Sequence, residues 1–358
     1  MIYIYVALLS ALISFFISML PIQERLKYKI QLISFIPLTI LGAIRYYVGI
    51  DYTTYSKFQL PQLFASFKNV KFEFLSEQVA HLGYLLSGRT NYFWIFALFH
   101  IIFMLFMAWY IIKQSPNIPL SLIFLVLTTF FAFSLSGMRQ AIGTSIVLAG
   151  LYFLSQKKVV IFTIFVGIAT LFHSSSIIYL IFIPLIYIKI SLFIQFIIFV
   201  FALFMSRYGM PLVSSLMIRF NFFSEYVGGR FYTGAYSKYF LVLVVIVYFT
   251  NLFLIYSKDY YKEEHNSLYL NINFIMVIVG IMMPAIPTPE RIVYMFLPIQ
   301  IVLVPKIIYN IKDAQLKVIV TILYLIIFGM FYTFVILIDN RYMTLPYRSI
   351  FDVFGWGY

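Results

Sequence analysis

Two arginines stand where apolar helices should begin: Arg139 in Ser136-Gly-Met-Arg139-Gln140, and Arg291 in Pro287-Thr-Pro-Glu290-Arg291. A helix N-terminus already carries partial positive charge, so a cation there is unfavourable unless an anion joins it. Arginine beside helix N–H groups makes a phosphate site. Glu290 offers Arg291 an internal partner instead. His173, in Phe172-His173-Ser174-Ser175, interrupts a long uncharged stretch and is a candidate general base; a lone histidine is more often structural. Arg45 precedes Asp51 and Tyr52, where it either binds an anion or pairs with Asp51 beside a tyrosine belt. Glu77 is the acidic reserve on a long loop, with a solvated charge as its plain alternative. Arg230 lies in a glycine- and tyrosine-rich segment, 226–236, whose rings could stack on sugars. Tyr347 and Arg348 belong to a basic tail.

The elements that must position these residues are membrane spans. Hydrophobic residues make up 63% of the 358 and charged residues 10%, where a soluble domain is about 25% charged. Apolar stretches at about 2–20, 29–48, 92–112, 118–136, 139–155, 159–172, 175–188, 190–206, 239–257, 267–285, 291–309 and 318–338 predict an all-α polytopic membrane protein of about twelve spans, some short or re-entrant. The first stretch lacks a basic leader and reads as an uncleaved span. The whole chain, 1–358, is expected to form one transmembrane domain. Long loops are expected at about 49–91 and 207–238, with a tail at 339–358. Leu75, Val79, Leu82 and Leu86 mark an amphipathic stretch suited to the interface plane.

With twelve crossings, one set of loops holds eleven of the fifteen lysines and one arginine, Arg25. The positive-inside rule puts this set in the cytoplasm and both termini outside. The opposite set holds nine of the ten arginines. A split by residue type asks for a chemical cause, and arginine's planar, always-charged fork matches phosphate and carboxylate oxygens. Reading 159–188 as two short spans keeps the later lysines inside and sets His173 in a recess on the arginine side.

There is no cysteine. No HExxH or DxD motif and no His/Asp/Glu set with ligand spacing appears, so no protein-held metal is expected. No Walker-type loop appears, so ATP hydrolysis is not expected. The spans carry no Asp or Glu at mid-depth, where ion-coupled transport commonly places them. The net charge of +13 suits lipid headgroups or phosphate-bearing substrates rather than nucleic acid.

An ordered set of short pieces resembles the EpsG/Wzy family of bacterial polysaccharide polymerases. These are Arg45 with Val-Gly-Ile-Asp51-Tyr52 and Tyr55, Glu77 with Gly83-Tyr84, Arg139-Gln140-Ala141, Phe172-His173-Ser174, Arg291 with Tyr294, and Pro346-Tyr347. Gly143-Thr144 departs from the more alanine-rich stretch of relatives. The resemblance implies a metal-independent, GT-C-like glycosyltransferase without cofactor. It would join undecaprenyl-diphosphate-linked oligosaccharides into O-antigen, capsule or exopolysaccharide on the outer face of the cytoplasmic membrane, with a chain-length regulator as a further partner. Catalytic roles are then expected of His173, Arg139 and Arg291. Substrate contacts are expected of Arg45, Asp51, Tyr52, Glu77, Gln140, Arg230, Tyr294, Tyr347 and Arg348. A glycan ligase using the same donor, a flippase for lipid-linked sugar and a membrane acyltransferase are the competing readings. One-sided arginines and the lack of an internal repeat count against the flippase.

Overall fold

The computed structural model describes residues 1–65, 72–219, 227, 229, 234–257 and 264–352; Arg230 lies outside them. The described residues form helices and no strands, as expected of an all-α membrane protein. They pack as two compact units, Met1–Ile181 with 332–358, and Phe182–Phe331.

Unit 1 begins with α1 (Ile2–Met19), α2 (Glu24–Ile30), a 3-10 turn at Gln31–Phe35 and α3 (Ile36–Ala43). The expected long loop is largely helical: α4 (Ile50–Thr54), a π segment at Tyr55–Gln59, α5 (Leu60–Phe64) and α6 (Phe74–Leu86). Then come α7 (Phe93–Gln114), the bent pair α8 (Ile118–Leu127) and α9 (Phe130–Ser136), α10 (Met138–Leu154) and α11 (Val159–Phe172). A 3-10 segment, Ser174–Ile181, follows.

α7 and α10 run parallel. Phe96 near the start of α7 and Met138 at the start of α10 both approach the Arg45 guanidinium, while Gln114 at the end of α7 donates to Leu148 O, 3.1 Å away. At about 1.5 Å per residue, the 22 residues of α7 separate two ends. One carries Arg45 and Arg139; the other carries Arg25, Lys29 and Lys113.

Unit 2 holds α12 (Phe182–Leu185), the bent pair α13 (Leu192–Tyr208) and α14 (Met210–Arg219), α15 (Lys238–Ser257) and α16 (Glu264–Ile281). α17 (Pro289–Val293), α18 (Gln300–Asn310) and α19 (Ala314–Tyr332) complete it. Inside it, Asn251 on α15, Asn273 on α16, Gln300 on α18 and Tyr324 on α19 form a buried neutral network. Asn251 Nδ2 donates to Asn273 Oδ1 (3.0 Å) and Gln300 Oε1 (3.1 Å); Gln300 Nε2 donates to Asn273 Oδ1 (2.7 Å); Tyr324 Oη donates to Asn251 Oδ1 (2.5 Å). In apolar surroundings each polar atom needs such a partner.

Six helices among the described residues are long and apolar enough to cross a membrane, or up to eight if each bent pair is one span. Four shorter apolar helices, Met138–Leu154, Val159–Phe172, Ser174–Leu185 and Ser267–Ile281, coincide with the remaining expected spans. The stretch read as two spans is indeed broken at His173, and the segment after it packs on α10 and α11.

α6 packs on unit 1 by the face opposite its outer leucines. It buries Ser76, Ala80 and Gly83, while Leu82 and Leu86 are 51% and 52% exposed. Small residues at i, i+4 and i+7 let α6 approach α7 closely: a Cβ on Gly83 would lie 2.6 Å from Ile95 N and Cα. A period of hydrophobicity cannot reveal that the packed stripe is the small one.

Candidate functional site

At the arginine end of unit 1 the side chains converge on a residue that sequence reasoning passed over. Glu73 is the N-cap residue of α6, yet its carboxylate turns away from its own helix. Oε2 accepts from Arg139 Nη1 at 2.5 Å, and Oε1 accepts from the Ser174 backbone N–H at 3.1 Å. His173 Nδ1 lies 3.3 Å from Oε1, close enough for charge attraction but without the alignment of a hydrogen bond. The three side chains are partly accessible: 18% exposed for Arg139 and Glu73, 23% for His173.

Local structure explains each position. Arg139 is the second residue of α10, whose N-cap is Gly137. The helix-end argument expected an anion beside it; within the chain that anion is Glu73. Arg139 Nε also donates to Tyr55 Oη at 2.7 Å, and its guanidinium lies 4.7 Å from the Phe72 ring centroid and 5.7 Å from that of Tyr55. A guanidinium held by a carboxylate, a phenol and two ring faces has a fixed direction. His173 is the C-cap of α11 in an extended conformation, which swings it off the helix. Ser76 Oγ donates to Phe172 O at 2.8 Å and so ties α6, and Glu73 with it, to that same helix end.

Gly143 supplies the remaining space. A Cβ there would come within 2.4 Å of Ser176 Oγ and 3.6 Å of His173 Cβ. The departure from the alanine-rich pattern has a structural counterpart: with a hydrogen at position 143, α10 passes close to the turn carrying His173 while the Ser176 hydroxyl keeps its place.

Burial alone would push the Glu73 carboxyl upward. The His173 ring, the Arg139 guanidinium and the Ser174 N–H outweigh it and hold the carboxyl down at about 2. Glu73 is thus an anion at neutral pH and a poor proton acceptor. Burial pushes the Tyr55 hydroxyl up, against the pull of Arg139, so Tyr55 stays a neutral phenol.

The other expected residues fall elsewhere. Glu77 is one turn along α6, partly exposed and 3.7 Å from His81 Nε2. Gln140 is buried beside Arg139 in sequence. Asp51 opens α4, and Tyr52 is buried with its ring stacked on Phe96 at 3.8 Å. Arg45 is fully buried. It donates to Gly42 O (2.6 Å) and approaches Met138 Sδ (2.9 Å); no ion pair with Asp51 forms.

The tail is docked rather than loose. Tyr46 N donates to Arg348 O and Ile350 N to Ile44 O, both at 2.9 Å, bridging Arg45 to Ser349. Tyr347 Oη donates to Leu41 O (2.7 Å) and Tyr3 Oη to Thr344 O (2.8 Å). The Arg348 side chain remains exposed.

Arg291 and Tyr294 belong to unit 2. Arg291 is exposed on the short helix α17; Tyr294 is fully buried, edge-on to Phe240 at 5.3 Å. The neighbouring Glu290 accepts from Ser237 N at 2.8 Å. Arg207 and Arg219 close α13 and α14, where a cation complements the helix dipole, and Arg341 pairs with Asp339 at 3.3 Å. Among the described residues no three His, Asp or Glu side chains converge as a metal site would need.

Fold and site together define an all-α membrane protein with a carboxylate-held arginine and a histidine at one end of a helical unit. A sequence model of the EpsG family matches residues 28–349, and the chain belongs to that family. Membership supports a role in polysaccharide polymerisation in general terms. No curated protein and no solved structure matches the chain.

Proposed function

We propose that the chain is a polymerase joining undecaprenyl-diphosphate-linked oligosaccharides on the outer face of the bacterial cytoplasmic membrane, its twelve apolar segments all crossing or re-entering the bilayer. The observation that carries this reading is the Glu73–Arg139–His173 cluster, an arginine and a histidine fixed by one carboxylate at accessible helix ends.

The chemistry follows from the fixed groups. A hydroxyl of the acceptor sugar attacks the anomeric carbon of the donor. Its proton passes to His173 Nε2, the ring nitrogen not turned toward Glu73. The anomeric C–O bond breaks, and its electron pair leaves on the lipid diphosphate. Arg139, already oriented, stabilises that charge without reorganisation at the moment of reaction. Glu73 Oε1 faces His173 Nδ1 at 3.3 Å and sets the direction of the ring, as an orienting carboxylate does. With the Glu73 carboxyl held near 2, the proton acceptor is His173 rather than an acidic residue. Among the acidic reserves, Glu77 sits one turn away and faces His81 instead. The outward Leu82 and Leu86 of α6 suit a helix lying against acyl chains.

The test is incubation of purified protein with defined lipid-linked repeat units, products resolved by size. A ladder of increasing length supports polymerisation. A single transfer to another acceptor would establish a ligase, and transbilayer movement without new bonds a flippase.

A further inference from the structure

At the end of unit 1 opposite Arg139, a groove of about 690 Å³ opens between two helical faces. From the first come Arg25, Lys29 and Leu32, at i, i+4 and i+7 along α2 and the turn after it; from the second come Leu105, Trp109 and Lys113, at i, i+4 and i+8 along α7. On each face the charge lies at one end and the apolar groups follow. Along α7 the change from Leu105 to Lys113 spans about 12 Å.

The three cations have no carboxylate among the residues lining the groove, and among the described residues none of them forms an ion pair. Lys113 Nζ sits 5.5 Å from the Trp109 ring centroid. The apolar part is equally unpartnered: Leu32 is 51% exposed, Leu105 61% and Trp109 41%. Both halves therefore ask for one occupant with an anionic head and an apolar tail.

We infer that this groove is a binding site for an anionic phospholipid, its phosphate between Arg25, Lys29 and Lys113 and its acyl chains along Leu32, Leu105 and Trp109. A free phosphate would satisfy the cations and leave the apolar wall uncovered. A zwitterionic lipid would cover the wall and bring an unwanted cation to the head. Each basic residue near an anionic lipid contributes about 1 kcal/mol, so three give roughly 100-fold preference over a zwitterionic lipid.

The test uses the full chain with Trp94→Phe and Trp356→Phe, which leaves Trp109 as the sole tryptophan. It is placed in phosphatidylcholine nanodiscs containing a minor, equal fraction of either phosphatidylglycerol or phosphatidylcholine with brominated acyl chains. Brominated phosphatidylglycerol should quench Trp109 far more than brominated phosphatidylcholine does. The excess should vanish in Arg25→Gln/Lys29→Gln/Lys113→Gln, whose sites are at the surface and whose emission maximum checks folding. Equal quenching by the two lipids, or an excess that survives the triple substitution, would overturn the proposal. So would reversal of the excess by inorganic phosphate, which would make this a free-phosphate site. No glycan substrate enters the measurement, so its outcome is independent of the polymerase reading.

Discussion

Unit 1 gathers charge at helix ends and leaves it 18–23% exposed, in Glu73, Arg139 and His173. The polar cluster inside unit 2 is neutral and buried: Asn251, Asn273, Gln300 and Tyr324. The hydrogen bonding is comparably dense in both, so density alone does not mark the reactive region. What sets the proposed site apart is charge with access. A buried amide network satisfies itself and fixes how four helices align; a charged cluster at an open edge can still accept a ligand's charge.

The comparison breaks most sharply at Arg139. Arg139→Ala should lower chain extension by about 10²–10³-fold, the usual cost of one preorganised donor to a developing anion, while membrane insertion is unchanged. Extension by purified variant protein at the wild-type rate would remove Arg139 from the mechanism. Glu73→Gln keeps the shape and removes the charge; extension should fall about 10–100-fold, as for other orienting carboxylates. Rescue of activity by Glu73→Asp would show that charge, not volume, is what matters.

For unit 2 the expectation reverses. Asn251→Leu removes one hydrogen-bond partner from each of Tyr324, Asn273 and Gln300 and should cost about 1–3 kcal/mol of stability. Thermal unfolding in detergent would show this as a lowered midpoint, with turnover per folded molecule unaltered. Gly143→Ala lies between the two cases. It forces the Ser176 hydroxyl aside, next to the turn that carries His173, and should cost about 1–3 kcal/mol of packing, with a drop in turnover that Asn251→Leu does not share.

The smallest effect is in pH. The Glu73 carboxyl, held at about 2 against an ordinary 4.5, contributes stability that is fully present above 4.5 and lost as pH falls toward 2. The midpoint gap between wild type and Glu73→Gln should therefore stay constant from neutrality to about pH 5 and narrow below it. A gap already narrowing near pH 6 would mean that Glu73 is not paired as described.

Much of the helical layout was legible because long apolar stretches have one physical reading. Arg139 and His173 were legible for a related reason: each interrupts or begins such a stretch where a charge or a polar ring needs explaining. Glu73 was not. Its partners lie 66 and 101 residues away, and one turn further on Glu77 shows the same residue type in a more regular context. A signal existed in the carboxylate before an amphipathic helix, which normally faces its own N-terminus. Nothing local says that it will face another helix instead. Arg45 is the converse case: a residue read as an anion ligand or Asp51 partner is packed against Gly42 O, Met138 and aromatic rings, because the tail from residues 342–350 folds over it.

That tail has a consequence for the order in which the protein is built. Residues 342–350 complete unit 1, yet they are synthesised after the whole of 182–331. Until they leave the ribosome, Tyr3, Leu41 and the backbone at 44–46 lack their partners, across separations as large as 341 residues. Such long-range closure comes late in folding. The first helices must therefore wait in the membrane, half-assembled, while all of unit 2 is inserted, and the end bearing Arg45 is sealed in one of the last steps of biogenesis.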